Sequence, residues 1–167
     1  MSLATATSKG EHARIEESYL RSAEEAFGVA REFVGLRKEL NAEAGTLVSV
    51  ARNLSRTVDY DHFDRKAVDI KDRIEALAKR AAALAPDGPS AQAEFHQLLT
   101  EYLAALSMAA GIFADKASFL AKKAKSAAAP GTTYSDFTRI THGEDTSLER
   151  CQTTGDRLTR LYRRVAG

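Results

Sequence analysis

Three carboxylates and an imidazole crowd into six residues at Asp59-Tyr60-Asp61-His62-Phe63-Asp64. Side chains of these types hold hard or borderline divalent cations when a loop folds around them. The spacing has neither the glycine nor the distal glutamate of a calcium loop, and helix capping at a polar turn accounts for every residue in it. The other histidines, His12, His96 and His142, are scattered, and no His-x-x-x-His or Glu-x-x-His pair occurs. A two-iron helical bundle therefore has no ligand set here. Neither a metal nor a cofactor is expected.

A second constellation lies near the C-terminus, where Thr141, Glu144, Cys151 and Gly155 occupy positions that a bundle fills with Leu, Ile, Phe or Ala. Polar groups on a buried face must be paired or must meet water. One reading is an interhelical hydrogen-bond network that fixes register, or a half-exposed helix at the bundle edge. The sharper reading is a ligand pocket lined by His142, Glu144, Asp145 and Cys151, in which a carboxylate withdrawn from water is suited to proton transfer. Beyond them, Arg157, Arg160, Arg163 and Arg164 form a basic end, which suits a helix C-terminus and offers a surface for an acidic partner. The chain has no Gly-rich phosphate loop, nucleophile elbow or catalytic triad, so an enzyme is not the expected class.

The elements that carry these groups read as four helices. The first has Ile15, Tyr19, Ser22, Ala26, Val29, Phe33, Leu36 and Leu40, then Leu47, Val50 and Leu54, with Glu43 alone out of character. That period of 3.5 is the rhythm of helices packed along their length. Ser8 and Glu11 have capping-box spacing, which predicts a start near residue 10. Asp61 with Asp64 can cap a second helix bearing Phe63, Ala67, Ile70, Ile74, Leu77, Ala81 and Leu84, and Pro86-Asp87-Gly88-Pro89 stops it. Ser90 opens a third through Phe95, Leu99, Tyr102, Leu106, Ala109 and Phe113. Lys116 and Lys123 then fall where apolar residues belong, which predicts that the stripe shifts to Ala117, Leu120 and Ala124. Pro130-Gly131 ends it, and Thr133 with Asp136 caps a fourth.

The expected architecture is an all-α, antiparallel up-down-up-down four-helix bundle, with helices at roughly 10–58, 62–85, 90–127 and 133–165. Residues 1–8 form a polar lead, and 9–167 a single domain. At 1.5 Å per residue the first helix is about 70 Å long and the second about 35 Å. The excess seam must be covered by the third and fourth helices, by a fold-back near Gly45, or by a second copy. A run-on of helix 1 into helix 2 is a further option. Gly28, Gly35 and Ala42, seven apart beside the seam, mark a close helix approach, since glycine within a helix costs about 1 kcal/mol relative to alanine.

The composition of this 167-residue chain narrows the classes further. Lys and Arg number 24 against 23 for Asp and Glu, so no global field gathers nucleic acid or an anionic membrane around it. Cys151 is the lone cysteine, which excludes an intrachain disulfide and fits a reducing compartment. No leader is read at the N-terminus and no window appears free enough of charge to span a bilayer, so the chain reads as cytoplasmic. The expected function is a helix-face protein interaction in an adaptor, assembly or scaffolding role, with a protein partner or self-association. Its determinants would be Gly28, Gly35, Ala42, Arg157, Arg160 and Arg164. The alternative is a ligand-sensing or enzymatic bundle with its small-molecule site on helix 4.

Overall fold

The computed structural model describes residues 15–50, 58–84, 90–125 and 134–166. They form four α-helices, α1 Glu17–Val50, α2 Tyr60–Ala82, α3 Ser90–Lys125 and α4 Tyr134–Ala166, without a strand among the described residues. The helices share one apolar core, built from the three-four stripes of all four. Cross-helix partners give the directions. Glu25 and Glu32 of α1 meet Arg80 and Arg73 of α2, and Glu101 and Lys116 of α3 meet Arg157 and Glu144 of α4, so the numbering runs oppositely within each pair. Between α1 and α3 it runs the same way, from Tyr19 against Phe95 to Phe33 against Phe113.

Helix α1 begins at Glu17, with Ile15 and Glu16 outside it, and the expected start near residue 10 lies outside the described residues. The local reason is a tertiary one: the Glu16 N–H donates to Oε1 of Gln92 on α3 at 3.3 Å, and Gln92 is itself buried. The Ser8–Glu11 capping box lies outside the described residues. Helix α2 is capped by Asp59 rather than Asp61, its carboxylate accepting from the His62 N–H at 3.0 Å. Val58 and Asp59 are not helical and α2 packs back on α1, so α1 does not run on into α2.

The seam that helix 1 carries beyond the reach of α2 is covered from within the chain. Tyr19 is fully buried, with its ring edge-on to Phe95 and His96 at 6.4 and 5.8 Å. Every expected seam residue from Ile15 to Leu40 is buried except Ser22, whose hydroxyl donates to the Ser18 carbonyl while Ala23 takes the core position. Leu47, Val50 and Leu54 lie outside the described side chains. As described, α1 has 34 residues and α3 has 36, so the first helix does not stand out in length. Within Ala91–Lys122, α3 holds a stretch long and apolar enough to cross a membrane, contrary to the reading of the sequence; half of it is buried inside this bundle.

Gly28 and Gly35 of α1 are not sites of close approach among the described residues. A Cβ placed on Gly28 or Gly35 meets nothing within 4 Å. Both line shallow grooves between α1 and α2, where the Glu32–Arg73 ion pair crosses. Gly28→Ala and Gly35→Ala should therefore each stabilise the fold by about 0.5–1 kcal/mol through helix propensity alone. Chemical denaturation checks this, and a loss of stability in either variant would mean that the groove is tighter than described.

Candidate functional site

Two of the residues that seemed misplaced in the sequence, Glu144 and Lys116, meet inside the bundle, while the Thr141 side chain lies outside those described. Glu144 of α4 is 0% exposed. Its Oε1 accepts from Nε of Arg37 on α1 at 2.6 Å, and its Oε2 accepts from Nζ of Lys116 on α3 at 2.9 Å. Lys116, also buried, donates a second bond to Oδ1 of Asn41 at 3.0 Å. Arg37 reaches on to the exposed Asp145 at 3.5 Å. Three helices are thus tied at one height by a carboxylate whose two oxygens are each taken by a cation, the pairing that a buried charge requires. Ala117 is fully buried, as the stripe shift predicted, but Lys116 stays buried beside it because Glu144 and Asn41 receive it.

This cluster replaces the expected pocket. His142 and Asp145 are exposed and border a surface depression, while Cys151 borders a different groove, so the four residues do not line one cavity. The register-fixing network, the first of the two readings of helix 4, describes Glu144, but its partners Arg37 and Asn41 carried no sequence signal. Each sits one position past a seam residue, Leu36 and Leu40, in a helix whose exterior is rich in charge.

Cys151 is a buried free thiol. Burial pushes its thiol from 9.0 up to about 11. The neighbouring Tyr102 hydroxyl is raised by burial first and by Cys151 second. An acid whose folded pKa is raised adds stability that is whole below its unfolded pKa and is lost as pH climbs through the folded one. The Cys151 contribution should therefore fade between pH 9.0 and about 11. Urea midpoints of wild type and Cys151→Ala at neutral and alkaline pH test it: the gap between them should narrow, and a constant gap would refute the assignment.

At Asp59-Tyr60-Asp61-His62-Phe63-Asp64, Asp59 caps α2 and Asp61 pairs with Lys125 of α3 at 2.8 Å. The Tyr60 hydroxyl is buried without a hydrogen-bond partner among the described residues, and burial, then the nearby Glu43 charge, raises its pKa. No group of three or more His, Cys, Asp and Glu side chains among the described residues could hold a metal ion.

The six expected interaction residues do not share a face. Gly28 and Gly35 look toward α2, Arg157 lies near Glu101 of α3 at 3.8 Å, and Nε of Arg160 donates to the Asp156 carbonyl. Ala42 and Arg164 are exposed.

Another surface emerges between α1 and α4, which approach each other least of the packed pairs. An open groove of about 400 Å³ runs between them, floored by Phe33, Tyr102 and Leu106 and walled by Phe27, Val34 and Leu148. Phe27 lies 5.9 Å from both the Tyr102 and the Tyr162 rings. Its rims are charged. Arg31 and Lys38 flank the α1 side; Asp145, Glu149, Asp156 and Arg163 flank the α4 side, all exposed. Apart from the Arg37–Asp145 contact, none of these rim charges has an ion-pair partner among the described residues. On the α1–α2 side the equivalent charges are joined, Glu25 to Arg80 and Glu32 to Arg73.

Comparison with protein-family models, curated proteins and solved structures found no match to this chain.

Proposed function

We propose that this protein is a non-enzymatic helical bundle that docks another protein on its α1–α4 face, in an adaptor, assembly or scaffolding role. The observation that carries this reading is the combination on that face: an open apolar groove and uncommitted charges on both rims. Apolar grooves with polar rims are the form that helix-binding surfaces take. The competing class, a ligand-sensing or enzymatic bundle with a polar site on helix 4, needed an available Glu144. Arg37 and Lys116 occupy both of its oxygens, which removes its main support.

Two exposed valines provide the test, since Val34 on this face is 43% exposed and Val68 on α2 is 45% exposed. A photo-crosslinking residue placed at either position in the source cells reports what protein lies against it. Adducts are expected from position 34 and not from 68. Silence at 34, or equal labelling at both, would overturn the reading.

A further inference from the structure

We infer that the occupant of the α1–α4 face is a second copy of this chain, related to the first by a two-fold axis parallel to the helices. This inference rests on the docking reading above and names its partner. It is carried by the order of charge along the two rims. Arg37 touches Asp145 and Glu24 receives the Tyr162 hydroxyl, and these contacts set which residues of α1 and α4 lie at the same height. Lys38 then lies level with Asp145, Arg31 falls between Glu149 and Asp156, and Glu24 lies level with the stretch leading to Arg163. At each level the exposed charge on α1 is opposite to that on α4.

A two-fold axis along the helices preserves height and sets α1 of one copy over α4 of the other. The three levels of opposite charge then meet across the interface twice, once on each side of the axis. An axis across the helices at the level of Arg31, the middle of the face, instead brings Arg31 onto Arg31 and the acidic middle of α4 onto itself, which like-charge repulsion disfavours. The apolar groove walls, Phe27, Val34 and Leu148, would close over the axis between the charged rims. A face two helix diameters wide and some 22 residues long measures roughly 650 Å² per copy, in the lower part of the range for specific interfaces. Micromolar, salt-sensitive association is the corresponding expectation.

The test is sedimentation equilibrium of the full chain, from about 1 to about 100 µM, at low and high salt. A monomer–dimer equilibrium is expected, weakened at least about tenfold by Val34→Glu and unchanged by Val68→Glu. The decisive arm uses two charge-reversed chains, one carrying Arg31→Glu, the other Glu149→Lys and Asp156→Lys. Each alone should stay monomeric while keeping its helical circular dichroism, because all three positions are exposed. Mixed, they should form a heterodimer in which every reversed pair is attractive. A monomer throughout, or no recovery on mixing, would overturn the inference. The crosslinking experiment separates the two failures. A position-34 adduct of a mass other than twice the chain removes the second copy and retains docking, whereas no adduct removes both.

Discussion

Replacing Glu144 by alanine is expected to destabilise the fold by about 3–5 kcal/mol, because it leaves the buried Lys116 ammonium without its anion. Lys116 is 4% exposed, and Asn41 alone remains to accept from it. Arg37 is in a different position: its side chain is 28% exposed and can turn to solvent and Asp145. The loss should therefore track the lysine. Lys116→Met in the wild-type background should cost nearly as much, since it strands the Glu144 carboxylate with one cation. The double variant Glu144→Leu with Lys116→Met removes both charges at similar volume and should recover most of the loss. A double-mutant cycle in urea, with Glu144→Leu and Lys116→Met as its single variants, measures the coupling. Additive losses would show that the two side chains do not act as a pair, and a loss below about 1 kcal/mol for Glu144→Ala would place the carboxylate in water.

Gly155→Ala should also lower stability, in contrast to the same change at Gly28 or Gly35. A Cβ at Gly155 lies 2.9 Å from Cε2 of Tyr102, a ring that is itself buried and tilted against Phe27. Overpacking of this kind costs about 1–3 kcal/mol, against a propensity gain of about 1 kcal/mol for leaving glycine. The net is a loss, larger still for Gly155→Val. The sharper expectation is a change of sign. In a Tyr102→Ala background the obstacle is gone, and Gly155→Ala should stabilise the variant, as it does in an open helix. If the effect keeps its sign across the two backgrounds, Tyr102 is not what requires the glycine. Among the described glycines of α1 and α4, Gly155 is thus the one that tertiary packing requires, and it sits where α4 presses on α3.

Much of the core could be read before any coordinates. In α2 the stripe Phe63, Ala67, Ile70, Ile74, Leu77 and Ala81 is buried as spaced, because a helix with one strongly apolar face has a single way to hide it. Errors came where a local rule competed with a distant partner. Asp61 has the residue type for a cap, but Asp59 holds that position and Asp61 is drawn to Lys125. Ser22 and Ala23 are adjacent candidates for one seam position, and the smaller apolar residue took it. Lys116 read as a displaced stripe and Glu144 as an irregular seam, two separate anomalies. They are one feature, and a single sequence gives no means of pairing residues 116 and 144 across two helices.

Helical content, the four segments and most of their buried faces follow from periodicity and breakers, since these depend on neighbours three or four residues away. The tertiary structure alone decided which charges are buried together, which glycine is indispensable and which face of the bundle is left open. Those properties depend on side chains tens of residues apart meeting at one height, as Arg37, Lys116 and Glu144 do, and on α1 and α4 remaining apart while α3 packs against both. Interaction residues chosen from spacing, Gly28 and Gly35 among them, therefore fell on a side already bridged by ion pairs, while the apolar groove with its uncommitted rims lies on the other side of the same helix.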